Sequence, residues 1–194
     1  MSLLKLLGDG RRRQLAAEAS RERRAPVART LGELEPDRRE HEQLRLRREQ
    51  IIVSDLFSEL RTRFQPRATP DGRLIAVERT SASVFADLQR VRQALSSLIE
   101  NALGHGAGDI CLLADQLNGL TRLHVRDHGR GFPHHVLAHV FEPPRRADSA
   151  SDAGRGLSTV QTIASALGGQ AHAGNAASGG AHVWLELPAR PTAD

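Results

Sequence analysis

Three short segments, each at the end of a regular apolar pattern, constrain this sequence more than any other feature. They are LSSLIENALGHG at 95–106, RDHGRGFP at 126–133 and DAGRGLSTV at 152–160. The first ends a predicted helix, the second closes a predicted strand, and the third opens another helix. Glycines and polar side chains at the ends of three such elements together indicate a nucleotide site.

Asn101 lies near the end of the first predicted helix. It follows Leu98 by three residues, which places it at the border of an apolar face. That face consists of Leu88, Val91, Leu95, Leu98 and Ala102. At this border its amide oxygen can bind a hard cation such as Mg²⁺, which keeps waters and substrate phosphates as its other ligands. The alternative is that Asn101 caps the helix.

Asp127 ends the predicted strand and continues one of its faces by period-two alternation. The same face carries Thr121, Leu123 and Val125. A carboxylate on a buried face is costly unless a polar group meets it. With Gly129 and Gly131, Asp127 can bind a flat base with an amine, because the carboxylate accepts a hydrogen bond and the glycines admit close backbone approach. The alternative is that Asp-His-Gly only forms a hairpin turn.

Gly154 and Gly156 belong to a Gly-rich turn that opens a predicted helix over 156–167. The free N–H groups and the positive dipole end of such a helix attract phosphate oxygens. Its apolar stripe consists of Leu157, Val160, Ile163 and Leu167. Taken alone, Gly-Arg-Gly is also compatible with a plain loop. The order and spacing of all three segments together indicate ATP binding.

The residues from about Glu49 to Pro188 resemble the catalytic ATP-binding domain of two-component sensor histidine kinases, in the gyrase/Hsp90/histidine-kinase/MutL superfamily. In the terms of that family, Asn101 lies in the N box, 127–131 is the G1 box, and Phe141 begins the F box. The G2 box follows at 154–160.

This resemblance implies the fold and the domain organisation. The expected fold is a two-layer α/β sandwich of the Bergerat type, with one mixed sheet against three helices, preceded by a short helical hairpin. Residues 1–48 would form a degenerate dimerisation and phosphoacceptor-like region, and residues 49–190 the ATP-binding domain. The apolar stripe of the hairpin is thin, so a dimer bundle built from it would be weakly held.

The resemblance further implies the ligands and the site. ATP and Mg²⁺ are the implied cofactors, with Asp127 at the adenine amine and Asn101 at the metal. The segment between the F and G2 boxes would form a flexible ATP lid. Its Arg145 and Arg146, and likewise Arg155, either clamp the phosphates or face solvent. The predicted cofactor-binding residues are Asn101, Asp127, Gly129, Gly131, Arg145, Arg146, Gly154, Arg155, Gly156 and Leu157.

The segment AEASRERRAPVARTL at 17–31 resembles the phosphoacceptor box of the same family. Arg21 occupies the place of the acceptor histidine, and an arginine guanidinium stays protonated and cannot accept the phosphoryl group. Glu22, the predicted catalytic residue, would take the proton from the attacking histidine in that family. The sequence therefore predicts that the acceptor histidine is supplied by another chain.

Other departures from the family pattern leave the function open between classes. Ser97 stands where hydrolysing members and anti-sigma serine kinases carry a glutamate base, which argues against the anti-sigma alternative. Gly104 replaces a basic residue of the N box, and Pro144 replaces the second aromatic residue of the F box. We expect an enzyme that transfers the γ-phosphoryl group of ATP to a partner's histidine, and the alternative is a nucleotide-binding pseudokinase.

Composition fits a cytoplasmic protein. A single cysteine, Cys111, excludes an internal disulfide framework, and no apolar run is long enough to cross a bilayer. Residues 1–50 hold 13 Lys/Arg against 9 Asp/Glu, and the rest of the chain is balanced. Acidic residues interleave with this basic excess and no aromatic residue precedes Phe57, which argues against nucleic-acid binding. The implied partner is a response regulator or a histidine-bearing protein.

Apolar periodicity and turn residues also predict the element boundaries. We expect a helix at 54–64 capped by Ser54 or Asp55. The other predicted helices are 11–34, 38–48, 87–103, 133–139 and 156–167. The predicted strands are 50–53, 73–79, 109–114, 120–127, 170–173 and 181–187.

Overall fold

A mixed five-stranded sheet forms one layer of the fold. The structure is a computed structural model that describes residues 46–142 and 153–191. The strands are β2 Ile75–Val77, β4 Ile110–Leu117, β5 Leu120–Arg126, β6 Gln170–Asn175 and β7 Ala181–Pro188. They lie in the order β2-β4-β5-β7-β6. The β2–β4 pair is parallel, and the other neighbours are antiparallel.

Three helices form the second layer, and a fourth, short helix lies beside the site described below. In chain order they are α1 Val53–Ala68, α2 Leu88–His105, α3 His134–Leu137 and α4 Ala153–Ala166. One continuous apolar core contains side chains of α1, α2 and α4 together with inward-facing side chains of the sheet. The predicted two-layer α/β sandwich, with a mixed sheet against three helices, is confirmed.

A separate two-stranded sheet was missed in part by sequence analysis. It pairs β1, Arg48–Ile52, antiparallel with β3, Ser83–Asp87. Val84 and Ala86 of β3 are buried at alternate positions, but the residue between them, Phe85, is also apolar, so the short sequence shows no clear period of two. The predicted strand at 50–53 corresponds to β1, displaced by one or two residues.

Asp87 connects this small sheet to the helix that carries Asn101. Its carboxylate accepts hydrogen bonds from the backbone N–H of Arg90, at 3.1 Å, and of Arg47, at 2.9 Å. It is therefore the N-cap of α2, where a side-chain oxygen satisfies a free helix N–H. The predicted helix over 38–48 is wrong at its end, since residues 46 and 47 are not helical and Arg48 begins β1.

The start and end of α1 also differ from the prediction. Ile52 occupies the N-cap and makes no side-chain cap bond, so the predicted cap at Ser54 or Asp55 is wrong. The Ser54 hydroxyl instead lies 3.3 Å from the Asp55 carboxylate within the first turn. At the other end the helix continues past the predicted residue 64 to Ala68, because Phe64 and Ala68 are both buried in the core.

The predicted N-terminal region lies outside the described residues. This applies to the helical hairpin, to Arg21 and to Glu22. Among the residues that are described, no helix is both long and apolar enough to cross a membrane.

Candidate functional site

A cavity of about 330 Å³ opens where the ends of α2 and β5 meet the start of α4. Four of the predicted site residues line it, and they come from all three sequence segments: Asn101, Asp127, Gly131 and Leu157. Its lining also includes His105, Gly106, Phe132, Pro133, Val136, His139, Val140, Glu142 and Ala181. The structure thus brings together the segments that sequence analysis singled out.

The Asp127 carboxylate lies directly after β5 and is only 5% exposed. Its Oδ1 atom accepts hydrogen bonds from the backbone N–H of Gly129, at 2.7 Å, and of Ala181, at 3.2 Å. Its other oxygen, Oδ2, forms no hydrogen bond with a described residue. The alternative of a hairpin turn at Asp-His-Gly is wrong, because β5 pairs with β4 and β7 and no described strand follows it before β6. One carboxylate oxygen is left available at the cavity. Such an oxygen accepts a hydrogen bond from a ligand amine.

Gly106 lets the chain pass against this carboxylate. It follows the last residue of α2, and a Cβ atom on it would lie 2.6 Å from Asp127 Cγ and 2.8 Å from Asp127 Oδ2. Ordinary Cβ contacts are about 3.4 Å or longer, so no other residue fits here without displacing the carboxylate. Gly106 therefore contributes to the cavity by lacking a side chain.

Asn101 and His105 lie one helical turn apart in the last part of α2, and both line the cavity. Asn101 is inside the helix, and the C-cap is Gly106, so the alternative of a capping asparagine is wrong. Its side chain forms no hydrogen bond with a described residue. The amide oxygen is thus available to a ligand or to a cation.

A loop from Gly129 to Pro133 closes one side of the cavity. Gly131 has φ +70°, a left-handed conformation that favours glycine, and a Cβ atom there would collide with the Asn175 side chain. That side chain holds the loop by two bonds. Its Oδ1 accepts from the N–H of Phe132, at 2.7 Å, and its Nδ2 donates to the carbonyl of Phe132, at 2.9 Å. Gly129 itself acts through its N–H on Asp127.

The remaining wall is mainly apolar, which suits the face of a flat base. It is formed by Phe132, Pro133, Val136, Val140 and Leu157. The helix predicted at 133–139 is shorter, with α3 spanning His134–Leu137. Near its end, His139 Nδ1 lies 2.6 Å from Glu142 Oε1, and both side chains border the cavity while remaining largely exposed.

The glycines of the third segment differ from the prediction in one respect. Helix α4 begins at Ala153, so Gly154 and Gly156 lie in its first turn and not before it. The first N–H groups of a helix have no partner within it, and the expected attraction for phosphate remains. Gly156 is not among the residues that line the cavity. Arg145, Arg146 and the side chain of Arg155 lie outside the described part of the chain.

The donor set fits Mg²⁺ bound mostly by other ligands. Among residues 46–142 and 153–191, no group of three or more His, Cys, Asp or Glu side chains could hold a metal ion. Mg²⁺ needs no such group, because it is commonly bound by one or two protein oxygens with water and phosphate oxygens. Asn101, whose amide lines the cavity without a protein partner, can supply one of these ligands.

A polar cluster occupies the opposite face of the sheet and is not part of the cavity. His124 Nε2 donates to Asp115 Oδ2 at 2.8 Å, and His124 Nδ1 lies 2.8 Å from His182 Nε2. Burial lowers the pKa of His124, and burial together with the nearby Arg126 lowers the pKa of His182 to about 4. Trp184 packs beside both rings, at centroid distances of 5.9 and 4.7 Å.

Sequence analysis missed several of the functional residues. His105 could have been found, because it follows Asn101 by four residues and so shares its helix face. Asn175 gave no signal, since its contact with Phe132 joins positions 43 residues apart. Gly106 resembles an ordinary residue after a helix, and its role appears only where the chain meets Asp127.

Comparison with known proteins agrees with this geometry. A family model for histidine kinase-, DNA gyrase B-, and HSP90-like ATPases matches residues 86–191. The sensor histidine kinase component HK1 of Mycobacterium tuberculosis is 37% identical over 108 residues, which are 54% of this chain and 64% of that protein. Sensor histidine kinase YkoH of Bacillus subtilis is 36% identical over 96 residues, 47% of this chain and 21% of that protein. The chain thus spans less than two thirds of these relatives.

Solved structures show the same similarity. Full-length ShkA in complex with AMPPNP superimposes with a TM-score of 0.66 and 30% identity, covering 77% of this chain and 32% of that one. The catalytic domain of histidine kinase ThkA has a TM-score of 0.65 at 20% identity, covering 73% of this chain and 95% of that one. The second comparison shows the shared fold.

Proposed function

Because this chain belongs to the family of histidine kinase-, DNA gyrase B- and HSP90-like ATPases, we propose that it binds ATP with Mg²⁺ in the cavity and transfers the γ-phosphoryl group to a histidine of a partner protein. The observation that carries the proposal is the Asp127 carboxylate. One of its oxygens is fixed by two backbone N–H groups, and the other is available to a ligand amine at the wall of a mostly apolar cavity.

Each part of the nucleotide has a complementary surface. The adenine ring fits between Gly106 and the apolar wall, with its amine donating to Asp127 Oδ2. The phosphates extend toward the first turn of α4, where free N–H groups and the helix dipole favour negative charge. Asn101, and His105 one turn later, line the same cavity, and in this arrangement they would lie between base and phosphates.

Bound Mg²⁺ would neutralise charge on the phosphate oxygens, and Asn101 would hold it by its amide oxygen. Phosphoryl transfer requires mainly positioning and charge stabilisation from this chain, because the new P–N bond forms on the partner's histidine as the bond between the γ-phosphorus and the oxygen of ADP breaks. Ser97, at the position of the missing glutamate, is not among the cavity-lining residues. This supports transfer to a protein acceptor over transfer to water.

The acceptor is proposed to be a histidine on another chain. Arg21 replaces the histidine in the acceptor-like segment, and a protonated guanidinium is no nucleophile. The likeness to AMPPNP-bound ShkA and to named sensor histidine kinases supports a two-component setting with a response regulator as a further partner. The use of ATP, and a chain with one cysteine and hence no internal disulfide, support a cytoplasmic location. Arg145, Arg146 and Arg155 remain proposed phosphate ligands, and Glu22 a proposed proton acceptor.

The test is incubation of the full chain with γ-labelled ATP and Mg²⁺, with and without a histidine-bearing dimerisation domain of a sensor kinase. We expect acid-labile label on that partner, and none when its acceptor histidine is replaced by alanine. Asp127→Asn in this chain should reduce the label. Nucleotide binding without any transfer would contradict the kinase proposal and favour the pseudokinase.

A second variant tests the interpretation of the acceptor-like segment. Arg21→His, next to the retained Glu22, restores the family's acceptor pair. Label on this variant alone would show that the ATP-binding domain is competent and that only the acceptor is disabled. Label on the unaltered chain alone would contradict our interpretation of Arg21.

A further inference from the structure

Arg73 is a buried cation with an unusual set of partners. It lies between α1 and β2 and is only 7% exposed. Its guanidinium donates to three backbone carbonyls: Nη2 to Ala102 at 3.1 Å, Nη1 to Leu103 at 3.1 Å, and Nε to Gly108 at 2.5 Å. No described carboxylate forms an ion pair with it. A buried charge is costly unless it is compensated, so this arrangement requires a physical reason.

The compensation comes from the end of α2. Ala102 and Leu103 belong to the last turn of that helix, whose carbonyls carry the negative end of the dipole, and the Ala102 carbonyl also accepts from the N–H of Gly106, at 2.9 Å. A planar guanidinium with five N–H donors can bind two of them and a third carbonyl beyond the helix at once. Arg73 therefore joins the end of the helix to the chain that follows it.

The segment between these attachment points belongs to the cavity. Leu103 and Gly108 lie on either side of residues 104–107, which contain His105 and Gly106. Both residues line the cavity, and Gly106 lies against the Asp127 carboxylate. A further bond continues the path, since the N–H of His128 donates to the carbonyl of Ala107 at 2.9 Å. Arg73 thus fixes both ends of a wall of the site without reaching the cavity itself.

Arg73 is in turn held firmly by α1. Its N–H donates to the carbonyl of Ala68 at 3.1 Å, and its carbonyl accepts from Gln65 Nε2 at 3.0 Å. Gln65 Oε1 also accepts from the N–H of Ile75, at 2.9 Å, at the start of β2. The Ala68 carbonyl thus holds the backbone before the Arg73 side chain and Gln65 holds it after, so the guanidinium starts from a rigid base.

We propose that Arg73 is a positioning residue of the nucleotide site, which holds Gly106 against Asp127 so that Oδ2 keeps its place for the adenine amine. This inference rests on the proposed function, because it concerns the same cavity. Loss of the three bonds lets residues 104–108 move relative to Asp127. Removal of an outer partner of a metal ligand commonly weakens metal binding by about tenfold or more, and we expect a loss of the same order for this nucleotide site.

The test is calorimetric titration of the full chain with ADP and Mg²⁺, well below the melting temperature of every variant. We expect Arg73→Ala to raise the Kd for ADP by about tenfold or more, and added guanidinium ion, at a concentration that leaves the circular dichroism unchanged, to restore part of the affinity. Leu60→Ala truncates a buried side chain of α1 and serves as the control for lost stability. It should lower the melting temperature and leave the Kd for ADP nearly unchanged.

The possible results separate this inference from the proposed function. Failure of the unaltered chain to bind ADP would contradict the proposed function itself. ADP binding by the unaltered chain and equal binding by folded Arg73→Ala would overturn the role of Arg73. If Arg73→Ala does not fold, Arg73→Lys decides, because it keeps the charge but cannot reach three carbonyls. Unchanged ADP affinity in Arg73→Lys would also overturn the inference.

Discussion

Asp127→Asn is the substitution whose effect follows most directly from the geometry. Oδ1 of the wild-type side chain accepts from the N–H groups of Gly129 and Ala181. In the variant the amide oxygen must take this position, because an NH₂ group there would face two donors. The NH₂ group then occupies the place of Oδ2 and points at the cavity. A donor would thus face the adenine amine, which is also a donor.

The expected loss of affinity can be worked from this exchange. A hydrogen bond to a charged group contributes about 1.5–3 kcal/mol, and each 1.4 kcal/mol corresponds to about tenfold in Kd. We therefore expect the Kd for ADP to rise roughly 10- to 150-fold. The two backbone bonds to the amide oxygen remain, so the variant should stay folded.

Calorimetric titration with ADP and Mg²⁺ measures this effect. The control is Asp71→Asn, which removes one negative charge as Asp127→Asn does. Asp71 is exposed in the turn after α1 and is not among the residues that line the cavity. Its variant should bind ADP like the unaltered chain. An Asp127→Asn variant that is folded and binds ADP with unchanged affinity would show that Asp127 Oδ2 does not accept a hydrogen bond from the adenine amine.

Three further predictions concern the pH dependence of stability, the loop that Asn175 holds, and the contact of Gly180 with the Asp127 carbonyl. Because folding lowers the pKa of His124 and of His182, the unfolded chain takes up protons at a higher pH than the folded chain does. The free energy of unfolding should therefore fall as the pH drops from about 6.5 towards 4. Urea titrations that show no such fall, or the same fall in His182→Gln, would contradict this. Asn175→Ala loses both bonds to the loop and should weaken ADP binding with a smaller change in melting temperature, as measured by calorimetry and thermal unfolding. Gly180→Ala would place Cβ against the Asp127 carbonyl at φ +91° and should lower the free energy of unfolding by about 2 kcal/mol or more in urea titrations, so wild-type stability would contradict the contact.

Local patterns were enough to predict most of the helices and strands and two of the residues that line the cavity. Period-two alternation placed Asp127 on the buried face of β5, and helical spacing placed Asn101 beside the apolar face of α2. Both predictions depend on neighbours within one element. The resemblance then supplied how the elements are arranged, which no local pattern contains.

The missed features depend on contacts between distant parts of the chain. Strand β3 forms because β1 offers it a partner, although its own sequence has little periodicity. Arg73 stands at the start of the strand predicted at 73–79, and its burial appears only when α2 ends beside it. The same holds for Asn175, because its side chain bonds to Phe132, which lies 43 residues earlier in the chain.

The first turn of α4 shows a different limit. Two glycines favoured a loop before the helix, because glycine disfavours helix interiors. The helix nevertheless includes them, since its apolar stripe is fixed in the core by residues such as Leu157 and Val160. Packing therefore outweighed local propensity at this end, where the free N–H groups make helical glycines least costly.

The proposed recognition of adenine by the free oxygen of Asp127 is tested best by a comparison of two nucleotides. The full chain should be titrated calorimetrically with ADP and with GDP, each with Mg²⁺. The phosphates are identical, but guanine carries a carbonyl oxygen where adenine carries its amine, so the carboxylate would face an acceptor. We expect binding of ADP at one site and much weaker binding of GDP. Equal affinities, or no binding of ADP, would contradict it.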